Sequence, residues 1–141
     1  MSYFIVLEGL DGSGKSTLAR KLAELLTAHL LSTPLKSLVG VRAEVDQVFN
    51  QSNRARSLWY SAHVQCASEQ IRGLLSQGHN VVLDRYWLST CVYAKEDLQW
   101  ELLLEHLLTP TCTVFLDVPR ELRASRLHAR GARRPGRSCG L

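Results

Sequence analysis

With 141 residues, 45% of them hydrophobic and 21% charged, the chain is long enough for one buried core and too short for two. No apolar run approaches the length that crosses a bilayer, so no membrane partner is expected. The net charge of +4 is unevenly spread: residues 120–141 carry seven arginines against Glu121 alone, and the rest of the chain is slightly acidic. A basic face for nucleic acid would not be confined to one end, so no nucleic-acid partner is expected either.

The first predicted strand is the apolar run Tyr3–Leu7, which starts too early to leave room for a signal or transit peptide and so suggests a cytoplasmic protein. Behind it stands Gly9-Leu-Asp-Gly-Ser-Gly-Lys15-Ser16, which fits the phosphate-binding pattern G-x-x-x-x-G-K-[ST] between a strand and a helix. Gly9, Gly12 and Gly14 carry no Cβ, so the loop around Ser13 can turn tightly and aim successive N–H groups at phosphate oxygens. The helix starting near Ser16 and Thr17 adds its positive end. Lys15 suits the β- and γ-phosphates of ATP, and the Ser16 hydroxyl suits a bridging Mg²⁺. A plain glycine turn before a helix would rarely match by chance at this length.

Further along, Leu18, Leu22, Leu25 and Leu26 keep helical spacing and are expected to close one apolar stripe. Leu30–Ser32 reads as a second strand, and Val41, Val45, Val48 and Phe49 as a short helix. Residues 54–76 contain no proline and read as a long helix ended at Gly78. Asn80–Leu83 is the third strand, Leu98, Leu102, Leu103 and Leu107 a helix stopped by Pro110, and Thr113–Leu116 the fourth strand. Glu121 to Arg130 closes the series as a helix ended at Gly131. Apolar strands alternating with helices predict an α/β fold, a parallel sheet covered on both faces with ligands at the strands' carboxyl ends. Cys66, Cys91, Cys112 and Cys139 are scattered without a C-x-x-C pair, so neither a zinc site nor a disulfide framework is expected.

Asp84-Arg85-Tyr86 ends the third strand, where a carboxylate beside the glycine loop is placed to hold Mg²⁺ through water. Arg85, always charged and fork-shaped, suits a second phosphate near the first. Asp84 reads equally as a cap of the next helix, paired with its neighbour.

The strings FIVLEGLDGSGKSTLARKLAELL, VVLDRYWLSTCVYA and TVFLDVPRELRASRLHARG, in this order, resemble the thymidylate kinase family of P-loop nucleoside monophosphate kinases. The D-R-Y-x-x-S-x-x-x-Y pattern separates this family from adenylate and guanylate kinases, which share the glycine loop. The resemblance runs from residue 3 to about residue 131. It implies a P-loop NTPase three-layer sandwich and transfer of the γ-phosphoryl of ATP to a pyrimidine nucleoside monophosphate with Mg²⁺, dTMP above all. By the same resemblance Asp11 meets the acceptor's sugar hydroxyl, Gly12 to Thr17 cradle the ATP phosphates, Arg85 clamps the acceptor phosphate, and Ser89 and Tyr93 line the acceptor nucleoside. Family members dimerise, so a homodimer is an open expectation.

The sequence departs from the family in three places. Where the family carries an arginine after strand two, this chain offers Lys36, with Arg42 in reserve, and Lys36 also reads as an ordinary solvated lysine. For stacking on the base the long helix offers Trp59 or Tyr60, which also read as core packing, and the family's base-reading arginine falls on His63 or Val64. After Gly131 the family continues through a lid, further helices and a fifth strand. Here residues 1–131 read as the kinase core, with the fifth strand expected to be missing. Residues 132–141 read as an incomplete lid or an aberrant arginine-rich tail, with Arg130, Arg133, Arg134 and Arg137 as lid candidates. Besides dTMP kinase, the pattern leaves open a UMP-CMP kinase of mitochondrial type, a catalytically dead nucleotide-binding form, and a P-loop protein that binds nucleic acid through its tail.

Overall fold

The computed structural model describes residues 1–94 and 104–132. In chain order these form β1 (Phe4–Gly9), α1 (Lys15–Leu25), β2 (Ala28–Ser32), a 3-10 helix (Lys36–Val41), α2 (Arg42–Val48), α3 (Asn53–Ser76), β3 (Asn80–Asp84), α4 (Trp87–Ala94), β4 (Cys112–Leu116) and α5 (Arg120–Ala132). The strands pair in parallel in the order β2-β3-β1-β4. That order puts the glycine loop, which follows β1, and Asp84, which ends β3, on neighbouring central strands, with Leu7 paired to Asp84.

Alternation along β1 divides the core. Phe4 and Val6 face one side, where they meet Val81, Leu83 and Tyr86 and the α3 residues Val64 and Ile71. Leu7 faces the other, against Val82 and the α1 residues Ala19 and Ala23. Helices on both faces of one parallel sheet give the expected three layers. β3 is buried at Val81, Val82 and Leu83, so it reads as a continuous apolar run.

Two expectations are corrected. The buried face of α1 is Ala19 and Ala23 with Lys15, whereas Leu18 is exposed and Leu25 is 80% exposed. Small alanines let α1 lie close on the sheet, and the larger leucines are pushed to its flanks, where only Leu22 still touches the core. Gly131 does not end the last helix, because α5 continues through it to Ala132. The long helix behaves as read: the Ser52 hydroxyl caps it by accepting from the Ala55 amide at 3.2 Å, and Gly78, at φ 84, turns the chain after it. Of the leucine helix ahead of Pro110, Leu107 packs on the core, while Leu98, Leu102 and Leu103 lie outside the described residues.

Candidate active site

The glycine loop leaves β1 through three residues with positive φ: Gly9 (139), Gly12 (83) and Gly14 (97). Gly14 is also the N-cap of α1 and no side chain caps that end; the Thr17 and Leu18 amides turn back to the Gly14 carbonyl, which leaves the Lys15 and Ser16 amides, without a partner among the described residues, for an anion. The contacts explain why glycine is needed. A Cβ on Gly9 would come within 2.5 Å of the Leu116 carbonyl oxygen on β4, and one on Gly12 within 2.8 Å of the Arg123 carbonyl oxygen on α5. Lys15 is buried, its ammonium donating to the Leu10 carbonyl at 2.7 Å and to the Ser13 hydroxyl at 3.4 Å. Burial first and the Arg85 charge second hold its pKa below 10.5, against the opposing pull of Asp84, Asp11 and Glu8. Ser16 and Thr17 are exposed at the start of α1.

Beside the loop, Arg85 stands at a positive φ of 72, rare for a residue with a side chain. Its guanidinium donates from Nη2 to Asp11 Oδ1 in a short ion pair and from Nη1 to the Ser89 hydroxyl at 3.2 Å. Two sequence-predicted residues from separate segments, Asp11 and Ser89, thus meet around the Arg85 cation. Asp84 does not cap α4. Its Oδ1 is buried with no hydrogen-bond partner among the described residues. The amides of Tyr86 and Ser89 go instead to Glu8 Oε1, at 2.9 and 3.3 Å. An orphaned carboxylate oxygen next to the phosphate loop is a fit for a metal's water ligand.

A pocket of about 360 Å³ opens from this point, with Asp11, Arg85 and Ser89 at one end and Tyr60 and His63 on the α3 side. Such a volume is within the range of small-molecule sites. His63 is 3% exposed; its Nδ1 accepts the Leu35 amide at 2.9 Å and its Nε2 has no partner among the described residues. Accepting at Nδ1 fixes the neutral tautomer with the proton on Nε2, and burial holds the ring's pKa below 6.5. His63 is therefore a neutral donor on a pocket-lining side chain, while Val64 packs in the core.

Tyr60 lines the pocket, whereas Trp59 packs on Tyr60 and on His63, with ring centroids 4.9 and 4.1 Å apart. After β2 the exposed Lys36 is not among the lining residues; Arg42 and Arg56 are. Arg42 lies 5.8 Å from the Tyr60 ring centre and 3.8 Å from Asp46. Tyr93 falls on α4 with its side chain outside the described part, and Arg133, Arg134 and Arg137 lie outside the described residues. Arg130 is exposed on α5.

Three residues escaped the sequence reading. Arg126, one turn before Arg130, donates from Nη1 to the carbonyls of Gly12 and Ser13 at 3.1 and 3.3 Å. Glu8 is 1% exposed inside an otherwise apolar strand, and Thr33 is buried just past β2. A charge near the end of a buried apolar strand was the available signal for Glu8.

A sequence profile of thymidylate kinases matches residues 7–137. The thymidylate kinase of Buchnera aphidicola is 32% identical over 151 positions that cover 90% of this chain and 69% of that protein. The probable thymidylate kinase of Pyrococcus horikoshii is 32% identical over 92% of this chain and 71% of its own. The solved thymidylate kinase of Candida albicans has the same fold at a TM-score of 0.67 and 29% identity, covering 87% of this chain and 66% of that one. The chain thus spans about two thirds of the length of these relatives. Because the match takes in both walls of the pocket, from β1 through α5, and recurs at the level of the solved fold, this chain belongs to the thymidylate kinase family.

Proposed function

We propose that this chain transfers the γ-phosphoryl of ATP to dTMP, giving dTDP, with the residues named above as its machinery. Family membership supports a nucleoside monophosphate kinase that takes ATP as phosphate donor. The observation that carries the site is Arg85 held between Asp11 and Ser89 where the glycine loop meets the pocket, one strand from Lys15.

In this reading the loop from Gly9 through Gly12, Ser13 and Gly14 to Thr17 wraps the ATP phosphates, with the Ser13 and Thr17 amides held by the Leu10 and Gly14 carbonyls, and Lys15 exchanges the Leu10 carbonyl for phosphoryl oxygens. Arg85 grips the acceptor phosphate, Asp11 the sugar hydroxyl, and Tyr60 offers its ring to the base while Ser89 and Tyr93 border the nucleoside. In this reading the neutral His63 Nε2–H, buried without a partner among the described residues, takes a base carbonyl as its acceptor when a base is bound. Thymine and uracil present an acceptor at position 4, cytosine an amino donor, so His63 favours the carbonyl bases. Asp84 and Ser16 would hold Mg²⁺, which supplies charge neutralisation on the β- and γ-phosphoryl oxygens when bound. Phosphoryl transfer asks little covalent work of protein, so these fixed charges would supply most of the rate.

Residues 1–131 act as the kinase core in this reading, with residues 132–141 as an incomplete lid or an aberrant arginine-rich tail, and Arg126 with Arg130 as the lid-side cations. No helix among the described residues is long and apolar enough to cross a membrane. A cytoplasmic homodimer goes with the family reading as an expectation. The test is a coupled ADP-release assay with ATP, Mg²⁺ and each of dTMP, dUMP, CMP and UMP. Turnover with dTMP ahead of CMP, lost in Lys15→Ala, is expected. Equal or greater turnover with CMP would overturn the base reading, and no nucleotide binding at all would overturn the function.

A further inference from the structure

Arg85 occupies a backbone conformation that residues with a Cβ seldom keep. Four consecutive backbone groups around it are held from outside. The Asp84 carbonyl accepts the Thr33 amide at 3.2 Å, and the Arg85 amide donates to the Leu7 carbonyl at 3.0 Å. The Arg85 carbonyl accepts the Thr33 hydroxyl at 2.9 Å, and the Tyr86 amide donates to Glu8 Oε1 at 2.9 Å. Two of these holds come from ordinary sheet-end backbone. The other two need particular side chains, a hydroxyl on Thr33 and a carboxylate on Glu8.

Glu8 also reaches the other end of the arginine. Its Oε2 accepts the Ser89 hydroxyl proton in a short hydrogen bond. A hydroxyl has one proton, so giving it to Glu8 turns the Ser89 lone pairs toward the donating Arg85 Nη1. No cation lies within ion-pair distance of Glu8 among the described residues; its charge is satisfied by the Tyr86 and Ser89 amides and the Ser89 hydroxyl. A carboxylate 1% exposed and held this way is costly to bury for packing alone. We propose that Glu8 and Thr33 are positioning residues for Arg85, fixing its strained backbone and its guanidinium for the acceptor phosphate. The proposal rests on the reading of Arg85 as the acceptor-phosphate clamp.

The test is a double-mutant cycle read by titrating dTMP and, separately, ATP into the purified full chain. Arg85→Ala alone reports on the underlying reading: weaker dTMP with ATP unchanged supports it, and unchanged dTMP removes it. Given that loss, Glu8→Gln, which keeps one acceptor oxygen and the size of the side chain, is expected to weaken dTMP about tenfold, as for a lost charge-assisted hydrogen bond, with ATP within about twofold. In the Arg85→Ala background the same Glu8→Gln change should add nothing, since its effect passes through an arginine no longer there. Independent losses that multiply would assign Glu8 to the fold and overturn the proposal. Should Glu8→Gln fail to fold, Thr33→Val carries the same cycle, with Thr33→Ser as rescue. Failure of serine to restore what valine removes would equally refute the hydroxyl's role.

Discussion

Gly12→Ala adds a single methyl group, and the structure gives it two separate penalties. The backbone at Gly12 has φ 83, a left-handed conformation that costs a residue with a Cβ about 1–2 kcal/mol. The new carbon would also sit 2.8 Å from the Arg123 carbonyl oxygen and 3.1 Å from its Cα, and α5 backbone cannot swing aside as a side-chain tip would. Forcing an extra methyl into packed backbone costs about 1–3 kcal/mol. Together that is about 2–5 kcal/mol, a fall in Tm on the order of 10 °C for a chain of this size. Retreat of α5 would also loosen the Arg126 bonds to the Gly12 and Ser13 carbonyls.

Gly14→Ala is the internal control. It has a comparable φ of 97, but among the described residues the one atom within 4 Å of its new Cβ is Arg126 Nη1 at 3.6 Å, the end of a flexible side chain. It should lose the conformational part alone, about 1–2 kcal/mol. Gly73→Ala, inside α3 with nothing within 4 Å, should gain about 0.5–1 kcal/mol. Urea melts followed by circular dichroism give the three values on one scale, with an unchanged m-value as the check that only stability moved. If Gly12→Ala and Gly14→Ala lose the same stability, α5 does not rest on the phosphate loop and the lid-side role given to Arg126 fails with it.

Lys15→Ala should abolish measurable ATP binding while leaving dTMP binding close to normal; retained ATP affinity would remove the phosphate-loop assignment. Asp84→Asn should raise the Mg²⁺ needed to half-saturate ATP binding about 10–100-fold, and an unchanged requirement would return Asp84 to a structural role. Burial holds His63 below its unfolded pKa of 6.5, so the unfolded chain binds a proton first as pH falls. Its contribution is complete above pH 6.5 and is lost as pH drops toward the folded value; melts between pH 7.5 and 5 should show this limb, and His63→Gln should flatten it. His63→Arg should strengthen the preference for dTMP over CMP, and an unmoved ratio would take His63 off the base.

The fold was legible because its signals are local. A glycine loop between an apolar strand and a helix, and strands that read as unbroken apolar runs, leave little choice but a parallel sheet with the loop on a central strand. What the sequence hid depends on distances between segments. Leu18 and Leu25 keep helical spacing as well as Ala19 and Ala23 do, and only the closeness of α1 to the sheet decides for the alanines. That His63 and not Val64 lines the pocket depends on the rotation of α3, which sends Val64 into the core. Arg126 was passed over for Arg130 because one helical turn on α5 decides which arginine reaches the loop, and spacing alone does not give that turn.

Each cation of this site is held by acceptors within the chain. Lys15 donates to the Leu10 carbonyl, Arg85 to Asp11 and Ser89, and Arg126 to the Gly12 and Ser13 carbonyls. Burial first and the Arg85 charge second lower the Lys15 pKa, so these acceptors offset part of the cost of holding two cations close together. Under the proposed function phosphate binding is an exchange in which internal acceptors are given up for phosphoryl oxygens, so its net gain is smaller than a count of charges suggests. The exchange also bears on selectivity. Under the proposed function Asp11 is freed when a phosphate takes its place on Arg85, and the acceptor's sugar hydroxyl can then donate to it. A nucleoside lacking the phosphate would leave Arg85 on Asp11, so binding of the monophosphate should exceed that of the bare nucleoside by more than the phosphate's own contacts, and thymidine should bind to Arg85→Ala better than to the unaltered chain.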